Sequence, residues 1–242
     1  YIIIVLGEPY STFSEILAKY FYKKKKFKKH VVLIGNINLL KRQLNKLKYS
    51  IDFNEIKDLK SAKANAVNII NINFIYKKIF STVTNLSSKY IEKCFDLSLE
   101  LIKKNKKKCI LINGPVSKET FLNKKYLGIT EYLSRKTNSK NETMLIYNNT
   151  LSVSPLTTHI PLKNVSKKIS KKKIINCVIK LNNFYSKVLK KKAKFAILGL
   201  NPHCETIDQF SEEDKIIVPS IKILKKKGIK LDGVFPADTF FL

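Results

Sequence analysis

Short apolar runs of strand length alternate with longer amphipathic stretches along this chain, and that alternation narrows the possible folds most. IIIVL (2–6), VVLIG (31–35), CILIN (109–113), MLIYN (144–148), LSVSPL (151–156) and FAILGL (195–200) read as strands. They are rich in β-forming residues and bounded by Gly, Asn or Pro. Residues 14–24, 73–104 and 172–191 carry apolar side chains at i, i+3 and i+4 and read as helices. The second is long enough to be two. Residues 212–228 read as a further helix, with acids at its start and lysines before Gly228, an order that suits the helix dipole. Pro219 kinks or divides it. Strand–helix alternation predicts an α/β fold with a mostly parallel sheet. NKKYLG (123–128) breaks the pattern. It predicts two domains, 1–127 and 128–242.

With 44% hydrophobic residues the chain has enough apolar surface for a sizeable core. No uncharged apolar run reaches the roughly 18 residues of a membrane-spanning helix. The opening YIIIVLGEPY lacks a basic segment and reads as a buried strand rather than a signal peptide. The chain opens without Met, so an earlier start is expected. Cysteines 94, 109, 177 and 204 show no C-x-x-C pairing, which predicts reduced thiols and a cytoplasmic setting.

The formal net charge is +29. Such a balance suggests nucleic acid, but nearly every cation is Lys; Arg42 and Arg135 are the only arginines. Base and phosphate readers favour the forked guanidinium of Arg. The lysines are also dispersed among periodic segments. They read as solvated faces, and no specific nucleic-acid partner is expected.

Ligands of open α/β folds gather at the carboxyl ends of strands. The segments in those positions are GEPYSTFSE (7–15), GPVSKE (114–119), TTHIPL (157–162), NPHCE (201–205) and FPADTFF (235–241). His159 and His203 each follow a strand beside a proline. Neutral imidazole is a common metal ligand, so the pair reads either as two ligands of one ion or as two hydrogen-bonded loop histidines. His30 precedes a strand and reads as structural. Cys204 adjoins His203, but sequence neighbours point different ways. Lys118 either meets a phosphate or carboxylate or is one more surface lysine. Asp238 and Glu205 are placed to orient a ligand from behind, although Asp238 serves equally well as a turn cap.

GEP, GPVSKE, GITEYLS (128–134), TTHIPL, GLNPHCE with Glu212–Glu213, and FPADTFF follow one another in a recognisable order. In that order and spacing the chain resembles the 4-hydroxythreonine-4-phosphate dehydrogenases of vitamin B6 biosynthesis. The resemblance implies two α/β/α domains of the isocitrate/isopropylmalate dehydrogenase type with a cleft between them. It implies a homodimer whose second domain carries dimerisation and the metal. The implied reaction is NAD- or NADP-dependent oxidation of 4-phosphohydroxy-L-threonine and its decarboxylation to 3-amino-2-oxopropyl phosphate. The divalent ion (Zn, Mg or Co) is held by three histidines and shared across the dimer. Two fall on His159 and His203, and the third is expected beyond Leu242. Thr130 falls on a substrate-contacting position, and Lys118 joins it.

Three departures stand out. The first loop keeps Gly7, Pro9 and Glu15 but replaces two of the family's glycines, and Tyr10 and Phe13 add bulk there. Ile129 stands where the family has a histidine, which removes a polar contact to substrate. The chain stops at Leu242, before the part of the family sequence that completes the first domain. Two other readings follow: a dehydrogenase of a phosphorylated sugar acid such as threonate or erythronate phosphate, or a catalytically dead remnant.

Overall fold

A computed structural model describes all residues except 25, 106–108, 124, 140–141 and 206–209. The chain divides into two compact units, Tyr1–Lys140 and Asn141–Leu242.

The first unit is built on a five-stranded, wholly parallel sheet of order β3-β4-β2-β1-β5. Its strands are β1 (Ile2–Val5), β2 (Val31–Gly35), β3 (Phe53–Glu55), β4 (Val67–Asn71) and β5 (Ile110–Asn113). The α/β class with a parallel sheet is the one the alternation predicts. Helices α1 (Phe13–Lys23) and α2 (Ile37–Lys46) pack on one face, where Leu17, Phe21, Leu40 and Leu44 meet Ile4, Leu33 and Ile69. Helix α3 (Leu86–Lys104) covers the other face, with Tyr90, Ile91 and Phe95 against Ile3, Val5 and Ile34. The crossovers therefore run on one face from β1 through β2 to β3, and on the other from β3 through β4 to β5, with Ile56 and Leu59 of the β3–β4 connection on the α3 side. The direction reverses between β1 and β5.

Several elements differ from the sequence expectation. Strands β3 and β4 and helix α2 lie in a stretch that no predicted element covered. The apolar run of β4 is broken by Asn68, which is fully buried yet fully used. Its amide donates to the carbonyls of Val31 (2.9 Å) and Lys63 (3.0 Å), and its oxygen accepts from Asn54 Nδ2 and Lys63 N, each at 2.8 Å. The helix expected over 73–104 begins only at Leu86. The preceding segment is held instead by side chains: Gln43 Nε2 donates to Ile79 O (3.0 Å), and Phe74 packs on Tyr90 with ring centroids 4.8 Å apart.

The division between units falls at Lys140/Asn141 rather than 127/128. The reason is helix α4 (Ile129–Lys136), which belongs to the first unit. Tyr132 is buried among Phe95, Phe121 and Tyr126, with centroids 5.0–5.5 Å away. Lys136 Nζ bridges Glu92 (2.9 Å) and Asp96 (2.8 Å) of α3. Burial pushes the Tyr132 hydroxyl up to about 12.

The second unit holds a two-stranded parallel sheet of β6 (Phe195–Leu198) and β7 (Leu231–Phe235). Helix α5 (Lys171–Phe184) runs on into a π turn, Tyr185–Leu189. Helix α6 (Val218–Lys226) follows another π turn, Glu213–Ile217, and Pro219 sits in its first turn. Proline thus divides this segment, as its missing N–H allows only near a helix start. Ile174, Val178, Ile221 and Leu224 form the core with Leu231. The strands expected at 144–148 and 151–156 do not form as such. One antiparallel bridge, Ile146 with Val153, joins them, and both residues are exposed, at 57% and 42%. No neighbouring strand extends that ladder among the described residues.

Candidate active site

In the first unit the loops after β1 and β5 meet where the sheet's winding reverses. Glu8 N donates to Pro115 O (2.8 Å) and Gly114 N to Val5 O (2.8 Å). This approach requires glycine. Gly7 has φ +72°, and a Cβ on it would lie 2.4 Å from Pro115 O; a Cβ on Gly114 would lie 2.3 Å from Leu6 O. The same Cβ on Gly114 would sit 2.7 Å from the Phe13 ring, so Phe13 fills the space above that turn.

Glu8 is buried in the same loop. Its carboxylate accepts from Ser87 Oγ (2.6 Å) and from Tyr10 N (3.4 Å). Burial raises its pKa, and these two donors offset only part of that. Lys118 is exposed in the turn that follows β5. Ile129 opens α4 and packs against the apolar core, whereas Thr130 beside it is exposed.

In the second unit β6 ends at Leu198 and the chain turns sharply through 199–205. His203 N donates to Asn201 Oδ1 (3.1 Å), and Cys204 N to Asn201 O (2.9 Å). Cys204 takes a left-handed φ of 60°. The turn after β7 joins it, with Ala237 N donating to Pro202 O (2.8 Å). That junction brings His203 Nδ1 to 3.0 Å from Asp238 Oδ2. The imidazole is 73% exposed. A histidine whose Nδ1–H donates to a carboxylate keeps its Nε2 lone pair for a metal, and the carboxylate fixes the ring's tautomer and direction. The His203–Asp238 pair fits that role.

His159 is exposed and adopts φ +55°, a conformation sparsely populated by residues with a side chain. His30 precedes β2 and packs on Tyr1. Glu205 contributes its backbone carbonyl, which accepts from Asn201 Nδ2. Among the described residues no group of three or more His, Cys, Asp or Glu side chains comes together to hold a metal. The structure therefore joins His203 to Asp238 and places Glu205 in the same turn.

Two buried acids, Glu8 and Glu213, carry no signal of their burial in the sequence. Glu8 lies inside a quoted motif but carries no period or spacing that marks burial. Glu213 was visible only as half of an acidic pair. It is 5% exposed, its Oε1 accepts from Leu200 N (2.7 Å) and Asn201 N (2.9 Å), and its Oε2 accepts from Ser211 Oγ (3.1 Å). Burial works to raise its pKa, but these donors outweigh it and the net shift is downward.

The chain matches the family model for the pyridoxal phosphate biosynthetic protein PdxA over residues 26–242. It is 34% identical over 245 residues to the 4-hydroxythreonine-4-phosphate dehydrogenase of Sulfurihydrogenibium sp., covering 98% of this chain and 74% of that protein. The chain belongs to the PdxA family. A Clostridium botulinum relative provisionally named D-threonate 4-phosphate dehydrogenase is 26% identical over 98% of this PdxA-family chain and 73% of its own length. Among solved structures, a 4-hydroxythreonine-4-phosphate dehydrogenase from Klebsiella pneumoniae superposes with a TM-score of 0.78 over 99% of this chain and 76% of that one. At 22% identity that likeness speaks for the fold. The dehydrogenase relatives place this PdxA-family chain among the oxidoreductases.

Proposed function

We propose that the chain acts as a 4-hydroxythreonine-4-phosphate dehydrogenase. It oxidises 4-phosphohydroxy-L-threonine with NAD or NADP and releases CO2, leaving 3-amino-2-oxopropyl phosphate for pyridoxal 5'-phosphate synthesis. The observation that carries this reading is the His203–Asp238 pair at the end of β6, in a chain of this family.

His203 and His159 would hold the divalent ion, Zn2+, Mg2+ or Co2+. The ion supplies charge stabilisation at the substrate oxygen and the nicotinamide supplies the hydride acceptor. Asp238 keeps the proton of His203 on Nδ1, so the other ring nitrogen is free to ligate. His30, which packs on Tyr1, is assigned a structural role. Lys118 and Thr130, both exposed in the first unit, are assigned to substrate, the ammonium to its phosphate. A homodimer with a metal site shared between subunits and a cytoplasmic setting complete the proposal. Among the described residues no helix is long and apolar enough to cross a membrane.

A second reading has specific support. Ile129 packs into the core, so the start of α4 offers no cation where the resemblance implies a histidine. Together with the Clostridium relative this favours a phosphorylated sugar acid, threonate or erythronate phosphate, as substrate.

Turnover of 4-phosphohydroxythreonine and of D-threonate 4-phosphate, with NAD or NADP and each metal, separates the two. His203→Ala and His159→Ala are expected to lower kcat/KM beyond the roughly 10–100-fold loss typical of a merely supporting residue. Unchanged activity in both variants refutes the metal assignment. No turnover on any of these substrates favours the catalytically dead reading.

A further inference from the structure

We infer that Glu213 is the positioning residue for His203, holding the backbone of the loop after β6 so that the imidazole meets Asp238. This rests on the proposed role of His203 as a metal ligand.

A buried carboxylate is costly unless hydrogen bonds replace its lost hydration. Glu213 has such bonds, and they converge on the loop. A single oxygen, Oε1, accepts the consecutive amides of Leu200 (2.7 Å) and Asn201 (2.9 Å), while Ser211 Oγ donates to Oε2 (3.1 Å). Asn201 then passes the constraint on. Its side-chain oxygen accepts from His203 N (3.1 Å) and its carbonyl from Cys204 N (2.9 Å). Rotating the Leu200–Asn201 peptide would move the acceptors that place His203.

Gly199 makes the arrangement possible. A Cβ there would lie 3.1 Å from Glu213 Oε1 and 2.5 Å from Cys204 Sγ. The carboxylate itself is anchored, because Glu213 begins the turn into α6, whose Ile221 and Leu224 sit in the core of the unit. One end of the clamp is therefore rigid and the other carries the ligand loop. Supporting groups of this kind typically change metal affinity or activity by about 10–100-fold when removed.

Residues 1–242 hold three histidines, so 15N-histidine labelling gives few imidazole signals, and His30→Gln and His159→Gln identify that of His203. Glu213→Ala is expected to shift the His203 signal away from its Asp238-bonded position. It should speed exchange of the Leu200 and Asn201 amides about tenfold or more and lower kcat/KM about 10–100-fold. Glu213→Gln keeps an oxygen for both amides and is expected to restore the imidazole signal. Glu213→Asp withdraws the carboxylate by one methylene from both amides and should reproduce the alanine phenotype; it stands in if Glu213→Ala does not fold. A His203 signal unchanged in Glu213→Ala or in Glu213→Asp overturns the inference. If the wild-type chain turns over none of the substrates, the proposed reaction fails, while the imidazole and amide signals still decide the role of Glu213.

Discussion

Asn68 and Glu8 show how far a residue's type is from its fate. Asn68 breaks an apolar run, yet each of its amide atoms has partners inside the sheet. Glu8 is an acid in a loop, yet it is buried beside Ser87. Its pKa is raised in the fold, so the folded state binds the proton more tightly than the unfolded chain. Its contribution is fully present below the unfolded carboxylate pKa and is lost as pH rises through the folded one. Glu8→Gln keeps an acceptor for Tyr10 N and a partner for Ser87. Its melting temperature relative to wild type should therefore increase from about pH 4 to pH 7. A difference that stays flat or falls across that range refutes the burial argument. Glu213 runs the opposite way: its lowered pKa stabilises the fold above the unfolded value and ceases to as pH falls through the folded value.

Periodicity was legible at the scale of elements wherever one face is buried. The buried positions of α3, at 87, 90, 91, 94, 95 and 98, keep helical spacing over three turns. Its start was not legible, because Gln43 and Tyr90 hold the preceding segment from a distance in sequence. The hairpin at 144–156 has the pattern of strands but no partner ladder beyond one bridge. Phe95 lies fully buried between α4 and the sheet, so Phe95→Ala should cost about 4 kcal/mol in chemical unfolding. Lys136→Ala removes two ion pairs with half-exposed acids and should cost at most about 1 kcal/mol. If the two losses are equal, α4 is held by its charges and not by Tyr132 and Phe95.

Charge acts on the whole molecule. A formal +29 over 242 residues means the compact state brings like charges together. The described ion pairs involve few of the lysines. Screening should therefore stabilise the chain: its melting temperature should rise as NaCl increases from about 20 to 300 mM, where the Debye length falls below about 10 Å. A melting temperature that drops across this range would mean that the surface pairs outweigh the repulsion.

The sequence by itself determined the layers and the candidate ligands. Alternating periods specify strands and helices locally, and the ordered loops carry the likeness to the family. It also pointed to the histidine at the end of β6, because glycine and proline around it are backbone signals read along the chain. Only the tertiary structure decided what those side chains meet. The 3.0 Å contact of His203 with Asp238 joins residues from two loops, and α4 joined the first unit through Tyr132 and Lys136. Burial and long-range pairing depend on neighbours far away in the chain, which no local pattern records. Glu213 is the clearest case: an acid in a helix's first turn became the clamp on a loop twelve residues before it.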